Sequence, residues 1–337
     1  MKKSDIIQPN LDRIQHAFQQ LGIEEWEPTS ALNGGLTDAP VYKIKANNTM
    51  YAIKLESPDD NNFDLKRNYQ IVENVSKAGI SPPVVFTDPK RGIILMKCIE
   101  SRMQPATATP FLEKLAGLAR KLHQMERFSE WKSLREIVDF SVNKLPPDYL
   151  KSTYIHACLQ EIEKLEKIIF LESDIRSSHG DFHIANTLFD GENYYLVDWQ
   201  AAAPRSFYFD LACYATFMFG SNTDLCHAFL KSYLEREPTM EEVAKYDLMR
   251  VYTNIYYGVG FVSLSVTAER NHPAITNDEI AQLAHHGNVL FEVAADLANP
   301  INKEKLGFAC LKSSLKTIAS PQYKKAFELV STLKKNE

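Results

Sequence analysis

The chain is short of cysteine, of long apolar runs and of positive charge. Its five cysteines (Cys98, Cys158, Cys213, Cys226 and Cys310) are scattered, and none stands in a CxxC pair. That argues against a structural zinc site and against a disulfide framework. The most apolar window, 251–266, is interrupted by Asn254 and several tyrosines and is too short to cross a bilayer. The first residues lead into a polar segment without an apolar signal core, so the expected setting is a reduced cytoplasm. A net charge of −5 and a pI near 6.0 make no electrostatic case for nucleic acid. There is no internal repeat and no low-complexity tract.

What is present fits two modest domains within 337 residues. Apolar residues at helical spacing (Leu11, Ile14, Phe18, Leu21) predict an amphipathic helix over 6–21. Strands are predicted at 27–32, 40–46 and 50–55, with Asn47-Asn48 as the turn between the last two. A helix over 61–78 should stop at Gly79, and strands at 84–87 and 92–99 should follow. Beyond that the pattern is mostly helical. Thr109-Pro110 opens one helix, 154–171 carries another with Ile155, Leu159, Ile162, Leu165 and Ile169 on one face, and four or so follow between Asp210 and Leu333. The expected class is α+β, with a β-rich domain over 1–100 and a helical domain over 101–337.

The chemistry is concentrated in His179-Gly180-Asp181-Phe182-His183-Ile184-Ala185-Asn186 and in Val197-Asp198-Trp199. Asp181 and Asn186, five residues apart, suit a tight loop that presents both to one point. A hairpin, 187–190 out and 193–197 back around Asp190-Gly191, would fold Asp198 towards Asn186. An Asp beside an attacking hydroxyl, with an Asn and a second Asp on magnesium, is the set that phosphoryl transfer requires. Asn186 and Asp198 offer hard oxygen ligands. Asp181 is the expected base. Ser178-His179 lacks the glycine elbow of a serine hydrolase. Upstream, Gly34 and Gly35 allow a sharp turn with close approach of backbone amides to phosphate, and Thr37 adds a hydroxyl. Lys54 follows on an alternating strand one hairpin later.

Together these motifs resemble those of the choline kinase and aminoglycoside phosphotransferase family of small-molecule kinases. The loop reads HGD rather than HRD, and the second Asp is followed by Trp-Gln rather than Phe-Gly. The segment Ala78-Gly79-Ile80-Ser81-Pro82-Pro83 looks closest to bacterial choline-kinase-like members. The resemblance runs from Leu32 to Leu211, with weaker support to Glu269. It implies a bilobal protein-kinase-like fold, with a small β-rich N-lobe, a large helical C-lobe and a hinge near 96–100. ATP and Mg2+ are the implied cofactors. The implied partner is a small amine-bearing hydroxyl acceptor, choline or ethanolamine favoured, with aminoglycosides or thiamine as alternatives. Lys54 would grip the phosphates beside Gly34, Gly35 and Thr37, and backbone groups at Lys97 and Ile99 would meet the adenine. Asn186 and Asp198 would hold the metal, and Asp210 and His179 would brace the loop. Aromatic side chains past the loop could cage an ammonium, with Trp199 and Tyr256 as acceptor-site candidates. One position departs from the pattern. Arg67 matches the family's arginine, but Asn68 stands where a kinase keeps the glutamate that holds the strand lysine. Asp64 and Glu73 are the nearby carboxylates; either the lysine is paired differently or phosphate itself positions it. The gap also raises a reading of another class, a nucleotide-binding pseudokinase acting as switch or scaffold.

Overall fold

The computed structural model describes residues 7–32, 39–59, 64–102, 109–266 and 274–334. The chain divides into two compact units, Met1–Pro105 with Ala185–Ala202, and Ala106–Ile184 with Ala203–Glu337. Neither the expected Gly34-Gly35-Thr37 loop nor Glu269 falls within the described residues.

The first unit opens with α1 (Leu11–Gln20), preceded by a single 3-10 turn at Gln8–Asn10. Strands β1 (Trp26–Leu32), β2 (Val41–Ala46) and β3 (Thr49–Leu55) follow, then α2 (Leu65–Lys77), β4 (Val84–Asp88) and β5 (Ile93–Lys97). The five strands form one sheet in the order β1-β2-β3-β5-β4, antiparallel throughout. Asn47 and Asn48 both adopt positive φ, the conformation a two-residue hairpin between right-twisted strands needs. The apolar stripe of α1 (Ile14, Ala17, Phe18) is buried in one cluster with Ile44, Ile53, Leu55, Ile93 and Leu95 of the sheet. Burying one helix face against alternate residues of the strands is what the two periodicities in the sequence dictate. α2 begins at Leu65, four residues later than its pattern suggested, because Asp64 caps it by accepting the Arg67 N–H.

The second unit is helical. It holds α3 (Thr109–His123), α4 (Leu134–Asn143), α5 (Pro147–Leu150), α6 (Thr153–Ile169) and the strand β6 (Ile175–Ser178). The chain then crosses to a short hairpin, β7 (Thr187–Phe189) with β8 (Tyr194–Leu196), which belongs to the first unit. Two bonds tie it there: the Leu196 N–H donates to Ile80 O at 2.8 Å, and the Arg102 N–H to Phe189 O at 2.7 Å. Back in the second unit, β9 (Ala203–Ser206) pairs antiparallel with β6. Seven α-helices follow among the described residues, more than the four or so expected. They are α7 (Phe207–Met218), α8 (Thr223–Leu234), α9 (Met240–Ser265), α10 (Asn277–Gln282), α11 (His286–Val293), α12 (Pro300–Ile318) and α13 (Pro321–Lys334). The excess has a local cause. α8, α10 and α11 are each started by a side-chain cap, from Asn222, Thr276 and His285, and helices this short carry little periodicity to read. α7 is buried on nearly every face, so it shows no amphipathic stripe either. The strands β6 and β9 and the helix α4 were not anticipated. α9 and α12 cross at glycines: a Cβ on Gly307 would lie 2.8 Å from both Gly258 O and Val262 N. Among the described residues no helix is long and apolar enough to cross a membrane.

Candidate active site

In the first unit the strand lysine is the centre of a charge cluster. Lys54 Nζ lies 2.9 Å from Asp198 Oδ1 and 3.1 Å from Glu56 Oε1. Side-chain exposures of 13% for Lys54, 24% for Asp198 and 4% for Glu56 place these charges largely out of water. Burial works to lower the Lys54 pKa, but the two carboxylates outweigh it and hold the ammonium above its ordinary range. Asp198 follows β8 and has φ +67, ψ 71, a left-handed conformation uncommon for a residue with a side chain. Strained backbone of this kind persists where the surroundings over-determine it. The hairpin sets its neighbourhood. The Val197 N–H donates to Asn186 O at 3.0 Å, closing the open end of β7–β8 and drawing Asn186 alongside the residue before Asp198.

Of the alternatives left open by the missing helix glutamate, the structure has the lysine paired differently. Asp64 is occupied as the α2 cap. Glu73 accepts from the Thr87 hydroxyl. Neither pairs with Lys54, and the carboxylate that does is Glu56. Glu56 stands one residue past β3 and two past Lys54, a spacing that keeps both on one face of an extended chain. Asn68 is buried, accepts from Arg67 Nη1 at 3.1 Å, and lines the same cleft as Lys54, Glu56 and Asp198. The Gln200 side-chain amide also donates to Glu56 Oε1.

At the end of β5 the Lys97 N–H donates to Pro83 O at 2.8 Å, and the Cys98 N–H to Met50 O at 2.9 Å. Successive residues of a strand turn their polar groups to opposite sides. The Lys97 C=O therefore points to the side of Pro83, which has no N–H to return.

Asp181 lies in the second unit, on the loop that follows β6. That loop is gripped from behind by Asp210 of α7. The buried Asp210 carboxylate accepts the His179 N–H at 2.8 Å on Oδ2 and the Gly180 N–H at 2.9 Å on Oδ1. His123 Nε2 of α3 lies 3.1 Å from Oδ2. Burial would raise the Asp210 pKa, but His123 and the backbone donors outweigh it, so the group stays ionised. Asp181 in turn accepts from the Tyr257 hydroxyl at 2.5 Å on Oδ1, with His183 Nε2 3.3 Å from Oδ2. Its side chain is 33% exposed. Desolvation opposes ionisation, yet His183 and Tyr257 hold the carboxyl well below the usual range. Around it, His183 packs edge-on to Phe217 at 5.6 Å and Phe217 to Tyr257 at 4.6 Å.

Both acceptor-site candidates sit against packed side chains. Trp199 borders the same cleft as Lys54 and Asp198, but it is only 3% exposed and its indole N–H donates to Leu196 O at 3.2 Å. Tyr256 packs edge-on to Phe209 and Tyr257. The tyrosine that reaches Asp181 is its neighbour Tyr257, which a helical pattern alone could not separate from it.

Comparison with known proteins is consistent in kind. The model of the phosphotransferase enzyme family (APH) matches residues 31–246. No curated protein sequence matches the chain. Among solved structures, a choline/ethanolamine kinase family protein from Mesorhizobium loti is similar over 96% of this chain and 99% of its own, with 14% identity and a TM-score of 0.67. A choline kinase from Streptococcus pneumoniae covers 85% of this chain and 98% of its own at 17% identity and a TM-score of 0.60. A spectinomycin phosphotransferase, solved with ADP and spectinomycin, covers 96% and 97% at 17% identity and a TM-score of 0.57. At such identities the likeness is one of fold, a kinase-like fold with a small antiparallel sheet and a helix-rich remainder.

Proposed function

Since the chain belongs to the phosphotransferase enzyme family, and is thereby a small-molecule phosphotransferase, we propose that it transfers the γ-phosphoryl group of ATP to a hydroxyl of a small amine-bearing molecule. The observation that carries the reading is Asp181: a carboxylate kept ionised by Tyr257 and His183, on a loop whose backbone is clamped by a second buried carboxylate.

In this reading the first unit handles the nucleotide and the second the acceptor. Lys54 binds the phosphates as a fully charged ammonium. The Lys97 C=O and the Ile99 N–H meet the adenine edge, and Gly34, Gly35 and Thr37 cover the phosphates. Asn186 and Asp198 are suited to Mg2+ by their hard oxygen donors. An ion of this kind takes one or two protein ligands and completes its shell with phosphate and water. When bound, the metal would neutralise charge on the transferring phosphates. Asp181 accepts a hydrogen bond from the acceptor hydroxyl, fixes its lone pair, and takes its proton as the new bond to phosphorus forms and the bond from the γ-phosphorus to the bridging oxygen breaks, releasing ADP. The transition state of such transfers is loose, so orientation and charge carry most of the rate.

Choline or ethanolamine is the favoured acceptor. The ring edges and faces of Phe217 and Tyr257 beside an ionised Asp181 offer cation–π and ionic attraction to an ammonium. An aminoglycoside or thiamine acceptor is the alternative within the same chemistry. A silent pseudokinase loses its motive, because Glu56 supplies the anion that position 68 lacks. ATP use and five free thiols suit the cytoplasm. The test is ADP release with Mg-ATP across choline, ethanolamine, thiamine and several aminoglycosides. Asp181→Asn should lower turnover of the accepted substrate by about 10²–10⁴-fold while MgADP still binds. Undiminished turnover in that variant would overturn the reading.

A further inference from the structure

Resting on that reading, we propose that Glu56 is the positioning carboxylate for Lys54. It supplies, from the position just past β3, the charge that kinases draw from a helix, and it ties Lys54 to the segment after Asp198 through Gln200. Glu56 Oε1 is shared between the Lys54 ammonium, at 3.1 Å, and the Gln200 amide. Its side chain is only 4% exposed, and a buried carboxylate is tolerated only when paired.

The backbone of Glu56 is held at both of its polar groups. Its N–H donates to Gly92 O at 2.8 Å. Its C=O accepts Arg13 Nη2 of α1 at 2.6 Å, and the same nitrogen donates to Gly92 O at 2.7 Å. A Cβ on Gly92 would stand 2.1 Å from Glu56 O, so only glycine permits this approach. α1 and β5 thus fix the residue whose carboxylate fixes Lys54.

Asn68 completes the argument. It lines the same cleft, and a glutamate there would set two buried carboxylates against each other beside one lysine. Positions 56 and 68 are alternative homes for one charge. The second carboxylate on Lys54, Asp198, is a metal ligand in the proposed reaction. Glu56 is then the other carboxylate paired with Lys54 among the described residues, and the one the proposed metal does not claim.

The experiment is a set of four variants in the full chain: Glu56→Gln, Asn68→Glu, the two combined, and Lys54→Ala. The readouts are MgADP affinity, KM for ATP and kcat with the accepted substrate, and the thermal midpoint. Loss of a charged hydrogen bond predicts that Glu56→Gln weakens MgADP binding or raises KM for ATP by roughly 10- to 100-fold. Adding Asn68→Glu to it should recover about tenfold or more of that loss, while Asn68→Glu alone should impair. A merely structural Glu56 would lower the thermal midpoint without being rescued from position 68. Glu56→Gln within about twofold of wild type, or no rescue in a combined variant that melts like the single one, would overturn the proposal. Lys54→Ala separates the two layers. If it leaves nucleotide affinity and turnover intact, the kinase reading itself falls; if it impairs both while Glu56→Gln does not, only the role of Glu56 falls. MgADP affinity keeps the test decisive even with no acceptor turned over.

Discussion

Tyr257→Phe removes a single hydroxyl, the one that donates to Asp181 Oδ1 at 2.5 Å. The ring and its edge contact with Phe217 at 4.6 Å remain, so the packing of α9 against α7 is unchanged. A hydrogen bond to a charged group contributes about 1.5–3 kcal/mol. Asp181 is a third exposed, so water replaces part of it and the lower end, about 1.5 kcal/mol, is the fair figure. At 1.36 kcal/mol per pH unit, that raises the Asp181 pKa by about one unit. The sign follows from the direction of the shift. Asp181 is depressed in the folded protein, so its ionised form persists as pH falls and the acid limb of kcat/KM lies low. The variant should move that limb up by about one unit and lower kcat/KM at neutral pH by about three- to tenfold, through looser aim of the base. Tyr257 itself is pushed well above the ordinary phenol range by burial and by Asp181, so it remains a donor throughout. The same linkage acts on stability. The contribution of Asp181 is present above its unfolded pKa of about 3.9 and is lost as pH falls towards the lower folded value. The assay is a profile of the thermal midpoint from about pH 2 to 7, the range in which the depressed carboxyl titrates, with kcat/KM measured at neutral pH. An acid limb of that profile that does not move, with kcat/KM within about twofold of wild type, would refute the claim that Tyr257 holds the base.

Asp210→Ala strips two backbone N–H groups and His123 of their acceptor in a fully buried site, and should destabilise the fold by about 3–5 kcal/mol in urea or thermal unfolding. Turnover should fall with it, since the clamped loop carries Asp181; a variant as stable as wild type would show the clamp to be idle. Gly307→Ala places a Cβ 2.8 Å from two backbone atoms of α9, which cannot rotate away. It should destabilise by about 1–3 kcal/mol, read as a lower unfolding midpoint, with Asp181 chemistry largely retained in the folded fraction.

Much of the fold was legible because its signals are local. The stripe of α1 and the Asn47-Asn48 turn lie within a few residues of what they specify. The β7–β8 hairpin, predicted from Asp190-Gly191, is set by Asp190 accepting the Glu192 and Asn193 N–H groups at 2.8 and 2.7 Å. The later helices were undercounted where burial on all sides erased periodicity. β6 and β9 were missed because four-residue strands pair with partners far along the chain.

The candidate site divides the same way. Sequence alone determined the order and spacing of Asp181, Asn186 and Asp198, the hairpin that draws Asn186 towards the last of them, and the family to which the chain belongs. Local dihedral preferences and side-chain periodicity suffice for that. Only the tertiary structure decided the partners. Lys54 meets Asp198 across 144 positions, and Tyr257 rather than Tyr256 meets Asp181 across 76. Position 56, not 64, 68 or 73, carries the counter-charge for Lys54. Such pairings depend on which surfaces pack together and which buried charges they leave to be neutralised, and no stretch of a few residues encodes that.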